Sequence, residues 1–329
     1  MTRLLGLMPL TALLAGAVSA VSSPAAGDTG SPGRFGIRLV DAPVARRHDP
    51  RARTGIVDHL APGTTIRRRV EVVNMSRTPQ NIQLYAAAAA ITNHKFTVSP
   101  DRTPNELSRW ISPGESAVTI PPWEHRTTRI TINVPPTASK GERYAVIWAS
   151  DTAPPDSRHN IGATNRVGIP VYLDVGPGGE PPSDMRIERL TPARAKDGRP
   201  EIVAQLHNTG GRALTISGTL WLSDGPGGLR AGPYAAERGV ALAPGESAPV
   251  AVILDRRLPK GPWKARLTLQ SGMLTRTVSA PVTFPDSGIG RAILLASATR
   301  AYAIPAAAGL LFAGATTFLV YRRRRRSRR

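Results

Sequence analysis

Arginine is the residue type in this sequence whose density could do chemistry. The 329-residue chain has 43 Lys and Arg residues against 23 Asp and Glu, and all but five of the cations are Arg. A proline-bounded loop holds Arg46, Arg47, Arg51 and Arg53. A planar guanidinium donates paired hydrogen bonds to a carboxylate or a phosphate. The loop therefore predicts contacts to an anionic ligand, with a solvated arginine-rich surface as the plainer alternative.

Three consecutive arginines follow in a predicted strand. Strand alternation places Arg67 and Arg69 on the face opposite Ile66 and Val70, which makes both arginines candidate anion contacts. Arg68 falls on the apolar face. It must therefore extend past that face to water, pair with an acid, or mark an edge or bulge of the sheet.

Tryptophan supplies the second kind of candidate contact. Trp110 and Trp123 lie beside turn residues, where their rings could stack on carbohydrate. Trp148, Trp221 and Trp263 lie inside predicted strands, where packing in the core is the favoured role.

No catalytic residue, metal-ligand set or cofactor site is predicted. The chain has no cysteine, which excludes disulfides, Cys-ligated metals and thiol nucleophiles. It contains no HExxH, GxSxG or P-loop spacing, and no two of its six histidines occupy positions i and i+4. A zinc site made from residues distant in sequence stays open. A non-enzymatic protein is favoured, with a cell-wall hydrolase as a less favoured alternative.

The elements that must position these side chains are short strands. The chain has 31 Gly and 31 Pro, and its apolar residues alternate with polar ones between turn clusters. This pattern predicts an all-β protein with two tandem immunoglobulin-like β-sandwich domains, at residues 34–175 and 183–285. A Gly/Pro-rich linker, 176–182, joins them. The alanine-rich stretch 85–90 is predicted to be a strand because of its strand-like flanks.

The two domains echo each other in sequence. Ser112–Ser116 (SPGES) matches Ala243–Ser247 (APGES), and each precedes a strand. Asn74 and Asn208 each end a comparable strand, VEVVN and AQLHN. One immunoglobulin-like unit used twice accounts for both matches.

Both ends of the chain predict targeting to a membrane. Residues 1–20 resemble a cleaved signal peptide, with cleavage after residue 26 as the alternative. A stalk at 286–300 precedes the uncharged stretch 301–321, which is long enough for one transmembrane helix. The tail 322–329 predicts a cytoplasmic C-terminus with both domains outside. Its topology-setting residues are Arg322, Arg323, Arg324, Arg325, Arg326, Arg328 and Arg329. A run of Arg beside such a stretch favours an anchor over a nucleic-acid-binding tail.

The stretches LAPGTTIRRRVEVVNMSRTPQNIQLYAAAAAITN and INVPPTASKGERYAVIWAS resemble the WxL-interacting proteins of Gram-positive cell envelopes. The resemblance implies an N-terminal peptidoglycan-binding domain, a second interaction domain and a membrane anchor with a basic tail.

The sequence thus predicts a membrane-anchored extracellular protein that recognises cell-wall material, either peptidoglycan or an anionic wall polymer, or a surface protein. The alternative is an accessory subunit or chaperone-like docking protein for a secreted or surface enzyme, which would use an exposed strand edge.

Overall fold

The computed structural model describes residues 34–40, 42–153 and 163–295, and β-strands dominate them. The described helices are short: α1 (Arg51–Thr54), α2 (Glu106–Trp110) and two single 3₁₀ turns, Val44–Arg46 and Pro226–Gly228. The predicted all-β, immunoglobulin-like class is confirmed.

Two sheets form the first sandwich. One has the strand order β1-β3-β8-β6 and the other β2-β10-β9-β4-β5, with β7 also paired to β4. This is the sheet arrangement of an immunoglobulin-like domain, in which the first strand is divided between the sheets. The strands are β1 (Phe35–Leu39), β2 (Ile56–Leu60), β3 (Thr65–Asn74), β4 (Gln80–Thr92), β5 (Lys95–Val98), β6 (Ile111–Pro113), β7 (Ala117–Ile120), β8 (His125–Asn133), β9 (Gly141–Ala153) and β10 (Ala163–Val175).

The second sandwich follows the segment 176–184. Its larger sheet has the order β17-β12-β11-β20, with β21 also on β11, and faces the sheet β15-β14-β18-β19. The small pair β13-β16 lies beside them. The strands are β11 (Met185–Arg194), β12 (Pro200–Asn208), β13 (Leu214–Thr215), β14 (Ser217–Ser223), β15 (Ala231–Ala235), β16 (Ala241–Leu242), β17 (Ser247–Ile253), β18 (Trp263–Ser271), β19 (Leu274–Val282), β20 (Gly288–Ile289) and β21 (Ile293–Leu294).

The alanine-rich stretch belongs to a strand, as predicted. It lies within β4, which pairs with β9, β5 and β7. Alanine favours helices in isolation, but Ala87, Ala88 and Ala89 are buried in the sandwich. The tertiary environment therefore overrides the local preference.

The tryptophans divide between the core and the surface. Trp263 is 2% exposed, and its indole Nε1 donates to the Pro259 carbonyl at 2.9 Å, so its predicted core role is correct. The same prediction is wrong for Trp221, which is 50% exposed, and for Trp148, which is half-buried on an outer sheet face. Trp221 lies between buried Leu220 and Leu222, so alternation turns it outward.

A buried asparagine closes the same corner in both sandwiches. Asn74 Nδ2 donates to the carbonyls of Thr78, Ile120 and Pro121, at 2.8 to 3.0 Å. Asn208 Nδ2 donates to the carbonyls of Arg212, Leu242 and Ala243, at 2.9 to 3.1 Å. The two side chains therefore hold equivalent corners, as the matching strand ends suggested.

The turn that packs against each corner is not the one that the sequence match indicated. The backbone N–H of Asn74 donates to the backbone carbonyl of Glu124, and that of Asn208 donates to the backbone carbonyl of Glu246, each at 2.9 Å. The structural counterpart of Ala243–Glu246 is therefore 121–124, whereas 112–116 lies elsewhere. In this alignment Trp123 occupies the position of Gly245, and both have positive φ, 63° and 79°.

The predicted targeting segments lie outside the described residues, as do the last five residues of the stalk, 296–300, and the whole arginine tail. Within the described part, no helix is long and apolar enough to cross a membrane. The start of the expected stalk is not free of the sandwich, because β20 and β21 both pair with β11. Paired structure therefore continues to Leu294, beyond the expected domain end at 285.

Candidate functional site

A buried arginine joins the two sandwiches. The side chain of Arg212, on the corner loop after β12, is 1% exposed and forms an ion pair with Glu142 of β9 at 2.9 Å. Its guanidinium also donates to the carbonyls of Asp58 and Tyr172, at 3.1 and 3.4 Å. Glu180, in the predicted linker, supplies a second carboxylate at 2.8 Å. A single cation therefore contacts β2, β9, β10 and the linker.

Two of the predicted anion-contact arginines belong to this same junction. Arg46 pairs with Glu180. Arg51 binds both oxygens of Asp49, at 2.9 and 3.2 Å, and donates to the Ala213 carbonyl of the second sandwich at 3.2 Å. Both side chains thus have structural partners within the chain. Arg47 and Arg53 are exposed on the same segment, where they stay candidate ligand contacts.

Burial sets the protonation behaviour of this junction. Burial raises the pKa of Glu142 despite the nearby Arg212 guanidinium and hydrogen bonds from the Ala213 amide and the Tyr144 hydroxyl. Burial likewise raises the pKa of Asp58, against the opposing charge of Arg68. Burial acts to raise the pKa of Asp49 as well, but hydrogen bonds and charge from Arg51 outweigh it and leave this pKa below its usual value. The junction therefore combines carboxyl groups shifted in opposite directions.

The arginine run of β3 contributes to both surface and core. Arg67 and Arg69 are exposed, as alternation predicted. Arg69 lines a small hollow of 250 Å³ that Glu115 and Arg129 also line. Arg68 is half-buried, and its guanidinium donates to Asp58 at 2.7 Å. Of the roles open to Arg68, the structure shows pairing with an acid.

The two candidate carbohydrate-stacking tryptophans lie in unlike settings. Trp110 ends α2, is half-buried and has the Arg143 guanidinium 5.1 Å from its ring centroid. One face of its ring is therefore already covered. Trp123 is 66% exposed at the turn before β8 and stays the freer candidate for stacking.

An open strand edge is a feature that the residue types did not reveal. β10 pairs with β9 along its whole length, 163–175, but β2 pairs only with Val171–Val175. On the side away from β9, residues 163–170 have no strand partner among the described residues. We call this segment the β10 open edge. Alternate residues of such an edge present an amide and a carbonyl to an added strand.

The β10 open edge also leaves apolar surface uncovered. Val167 lies on the same face of β10 as buried Ile169, Val171 and Leu173, yet it is 38% exposed. β1, the edge strand of the opposite sheet, contacts β10 across this seam. The seam between the sheets is therefore incompletely closed beside Val167.

Among the residues that the structure describes, no group of three or more His, Asp or Glu side chains could hold a metal ion. One histidine does contact a carboxylate: His59 Nδ1 lies 2.6 Å from Asp174 Oδ2.

Among known proteins, the chain has matches only to solved structures, and the structural similarity is low. No protein-family model and no curated protein sequence matches the chain. The solved structures similar to it include a Pseudomonas aeruginosa CupB2 chaperone, with 12% identity over 70% of this chain and 98% of that chain, at a TM-score of 0.38. A Salmonella enterica SafA pilin–SafB chaperone complex gives 8% identity, 77% and 100% coverage, and a TM-score of 0.40. The Escherichia coli chaperone DraB gives 14%, 70% and 95%, and 0.37. At these scores we base no function on the likeness.

Proposed function

We propose that this chain is a non-catalytic docking protein that binds a partner polypeptide by adding one strand of the partner to the β10 open edge. The observation that carries this proposal is the difference in length between β10 and its partner β2. β2 covers only the last five paired residues, which leaves 163–170 available on one side. An extended peptide gains main-chain hydrogen bonds at such an edge.

Alternation along β10 defines the partner segment. Side chains of an added strand face the same two sides as those of β10. On the core-facing side they meet Val167, so an apolar residue there would cover exposed surface. On the outer side they meet Thr164 and Gly168, where small or polar residues fit. The preferred partner is therefore a segment with alternating apolar and polar residues.

Site-specific photocrosslinking of the full chain in cells that express it tests the docking. A photoreactive residue at Val167 should yield a crosslinked peptide from one partner, with an alternating pattern. The matched control position is Val98 on β5, the opposite edge strand of the same sheet. The two valines are similarly exposed, 38% and 41%. Crosslinking only from Val98, or from neither position, would contradict the proposal.

A synthetic peptide of the crosslinked sequence then measures the affinity. Val167→Lys should weaken its binding at least about tenfold, since a lysine at an open edge opposes strand addition. Val98→Lys should change the affinity by less than about twofold, because that strand is not the docking edge. Unchanged binding to a folded Val167→Lys protein would show that the peptide contacts another surface.

We also propose that this docking takes place outside the membrane, on the basis of the sequence at the two ends of the chain. The predicted signal peptide and anchor would put both sandwiches outside the membrane. Membership of the WxL-interacting proteins, and binding of peptidoglycan or an anionic wall polymer, stay hypotheses. A pull-down of the purified full chain on insoluble peptidoglycan at low salt tests the wall binding, and Arg47→Gln, Arg53→Gln and Arg67→Gln together should reduce retention.

A further inference from the structure

A second surface of the first sandwich carries a polar groove. It lies on the outer face of the sheet formed by β4, β9 and β10 and has a volume of 430 Å³. The side chains that line it are two arginines, one aspartate, one tyrosine and four uncharged polar residues. The six that carry the argument are Gln83, Tyr85, Asp101, Arg102, Thr164 and Arg166.

Aromatic rings hold both arginines in place. The Arg102 guanidinium lies 4.3 Å from the ring centroid of Tyr85, and that of Arg166 lies 5.2 Å from the centroid of Trp148. Arg102 also donates to Gln83 Oε1, and Arg166 to the Asp101 carbonyl at 3.4 Å. A guanidinium held in this way keeps donors for a ligand and loses little conformational entropy on binding it.

Gly168 is required for this arrangement. A β-carbon at Gly168 would lie 2.8 Å from two carbons of the Trp148 ring. Any side chain at this position would therefore displace the indole on which Arg166 rests. The indole Nε1 of Trp148 is itself buried, with no hydrogen-bond partner among the described residues.

The mixture of charges in the groove limits the chemical class of ligand that it can bind. Two guanidinium groups favour an oxyanion, whereas the Asp101 carboxylate in the same groove opposes a ligand that is anionic throughout. The hydroxyls of Thr152 and Thr164, 3.3 Å apart, and the Gln83 amide add both donors and acceptors. A ligand with one carboxylate among several hydroxyls satisfies all of these groups. The faces of Tyr85 and Trp148 toward the arginines are already occupied, so stacking does not define it.

We propose that this groove binds a carboxylate-bearing saccharide, with the carboxylate on Arg102 and Arg166 and sugar hydroxyls on Asp101, Gln83 and the two threonines. This site adjoins the β10 open edge and shares Thr164 with it. Arg166 and Thr164 belong to β10, but the Arg166 guanidinium lies over Trp148 of β9, away from the side where a partner strand would add.

Calorimetric titration of the purified full chain tests the proposal with galacturonate, which has one carboxylate, as the probe. We expect saturable binding, and no comparable binding of neutral galactose at the same concentration. Arg102→Gln together with Arg166→Gln should weaken the binding at least about tenfold, because each charged hydrogen bond lost is a strong one. The matched control is Arg230→Gln with Arg266→Gln, which line a groove beside Trp221 on the second sandwich and should change the affinity by less than about twofold.

A second measurement uses the unaltered protein. Galacturonate should shift the Trp148 indole N–H signal in NMR spectra, assigned with Trp148→Phe, and leave the Trp221 signal in place. The proposal is overturned if galacturonate does not bind, if galactose binds equally well, or if inorganic phosphate or a glutamate-rich peptide binds more tightly. Val167→Lys should keep galacturonate binding, so failure of the docking proposal and failure of this one are distinguishable.

Discussion

The corner loops of the two sandwiches share one scaffold and serve different purposes. In both, an asparagine at the end of a long strand, β3 or β12, donates to the carbonyl four residues later. In the first sandwich that residue is Thr78, which is exposed. In the second it is Arg212, whose side chain is 1% exposed and reaches across to the first sandwich. The loop backbone is therefore fixed by the asparagine, which leaves the side chains free to diverge.

This difference shows how a duplicated unit acquires an interface. A long cation at one loop position meets two carboxylates and two carbonyls of the neighbouring unit, and the same position in the other copy faces water. The interface thus needs no change in the sandwich core. Four sets of variants test this difference between the two sandwiches.

Replacing the buried cation should have the largest effect. Arg212→Met leaves the Glu142 carboxyl buried, at 3% side-chain exposure, without its cation. We expect the free energy of unfolding, measured by urea denaturation, to fall by about 3–5 kcal/mol. Adding Glu142→Gln should restore part of the loss. Arg77→Ala, on the exposed loop of the first sandwich, is the control and should cost less than about 0.5 kcal/mol. Equal losses for Arg212→Met and Arg77→Ala would end the distinction between the loops.

Removing the corner asparagines should cost nearly the same in both sandwiches. Asn74→Ala and Asn208→Ala each leave three backbone carbonyls without their donor. We expect each variant to lose about 3 kcal/mol of unfolding free energy. Asn81→Ala, an exposed position on β4, should stay within about 0.5 kcal/mol of the parent. A large loss in one corner with none in the other would show that the corners are not equivalent.

Exchanging the turn residue should stabilise the first sandwich. Trp123 has φ 63°, a left-handed conformation that costs a residue with a β-carbon about 1 kcal/mol and that Gly245 adopts freely in the other copy. Trp123→Gly should therefore raise the unfolding free energy by up to about 1 kcal/mol. Gly245→Ala should lower it by a similar amount. A destabilised Trp123→Gly protein would mean that the exposed ring makes contacts that outweigh the strain.

The smallest effect is a difference in pH dependence. Because burial raises the pKa of Glu142 in the folded state, that state binds more protons than the unfolded state at pH values above the ordinary 4.5 of this group. The Glu142 contribution thus lowers the unfolding free energy as pH rises from that value through the raised pKa. Glu142→Gln should show a shallower decline with pH than the parent over this range. Parallel curves for the two proteins would contradict the raised pKa.

The strand pattern and the two asparagine corners could be predicted from the sequence. Alternation predicted the faces of Arg67 and Arg69, and the strand ends VEVVN and AQLHN predicted matching corners. Trp148 was misjudged because its neighbours Val146 and Ile147 are both buried, so alternation does not reveal which face is outer. Arg212 could not be foreseen either, since Glu142 is 70 residues away along the chain. The β10 open edge depends on where a different strand, β2, begins. A feature formed by residues far apart in the sequence leaves no signal in the sequence around either of them.

The two short pairings of β20 and β21 with β11 give the second sandwich a mechanical property. Each pairing joins only two residues, whereas β11 and β12 pair along nearly their full lengths. Tension applied to the chain beyond Leu295 would open these pairings one after the other before it loads Phe284, which is buried in the core. The released segment from Pro285 to Leu295 would extend to about 35–40 Å. Under such tension the chain would therefore lengthen by unpairing this segment and removing Ile293 and Leu295 from the edge of the core, while Phe284 stays buried.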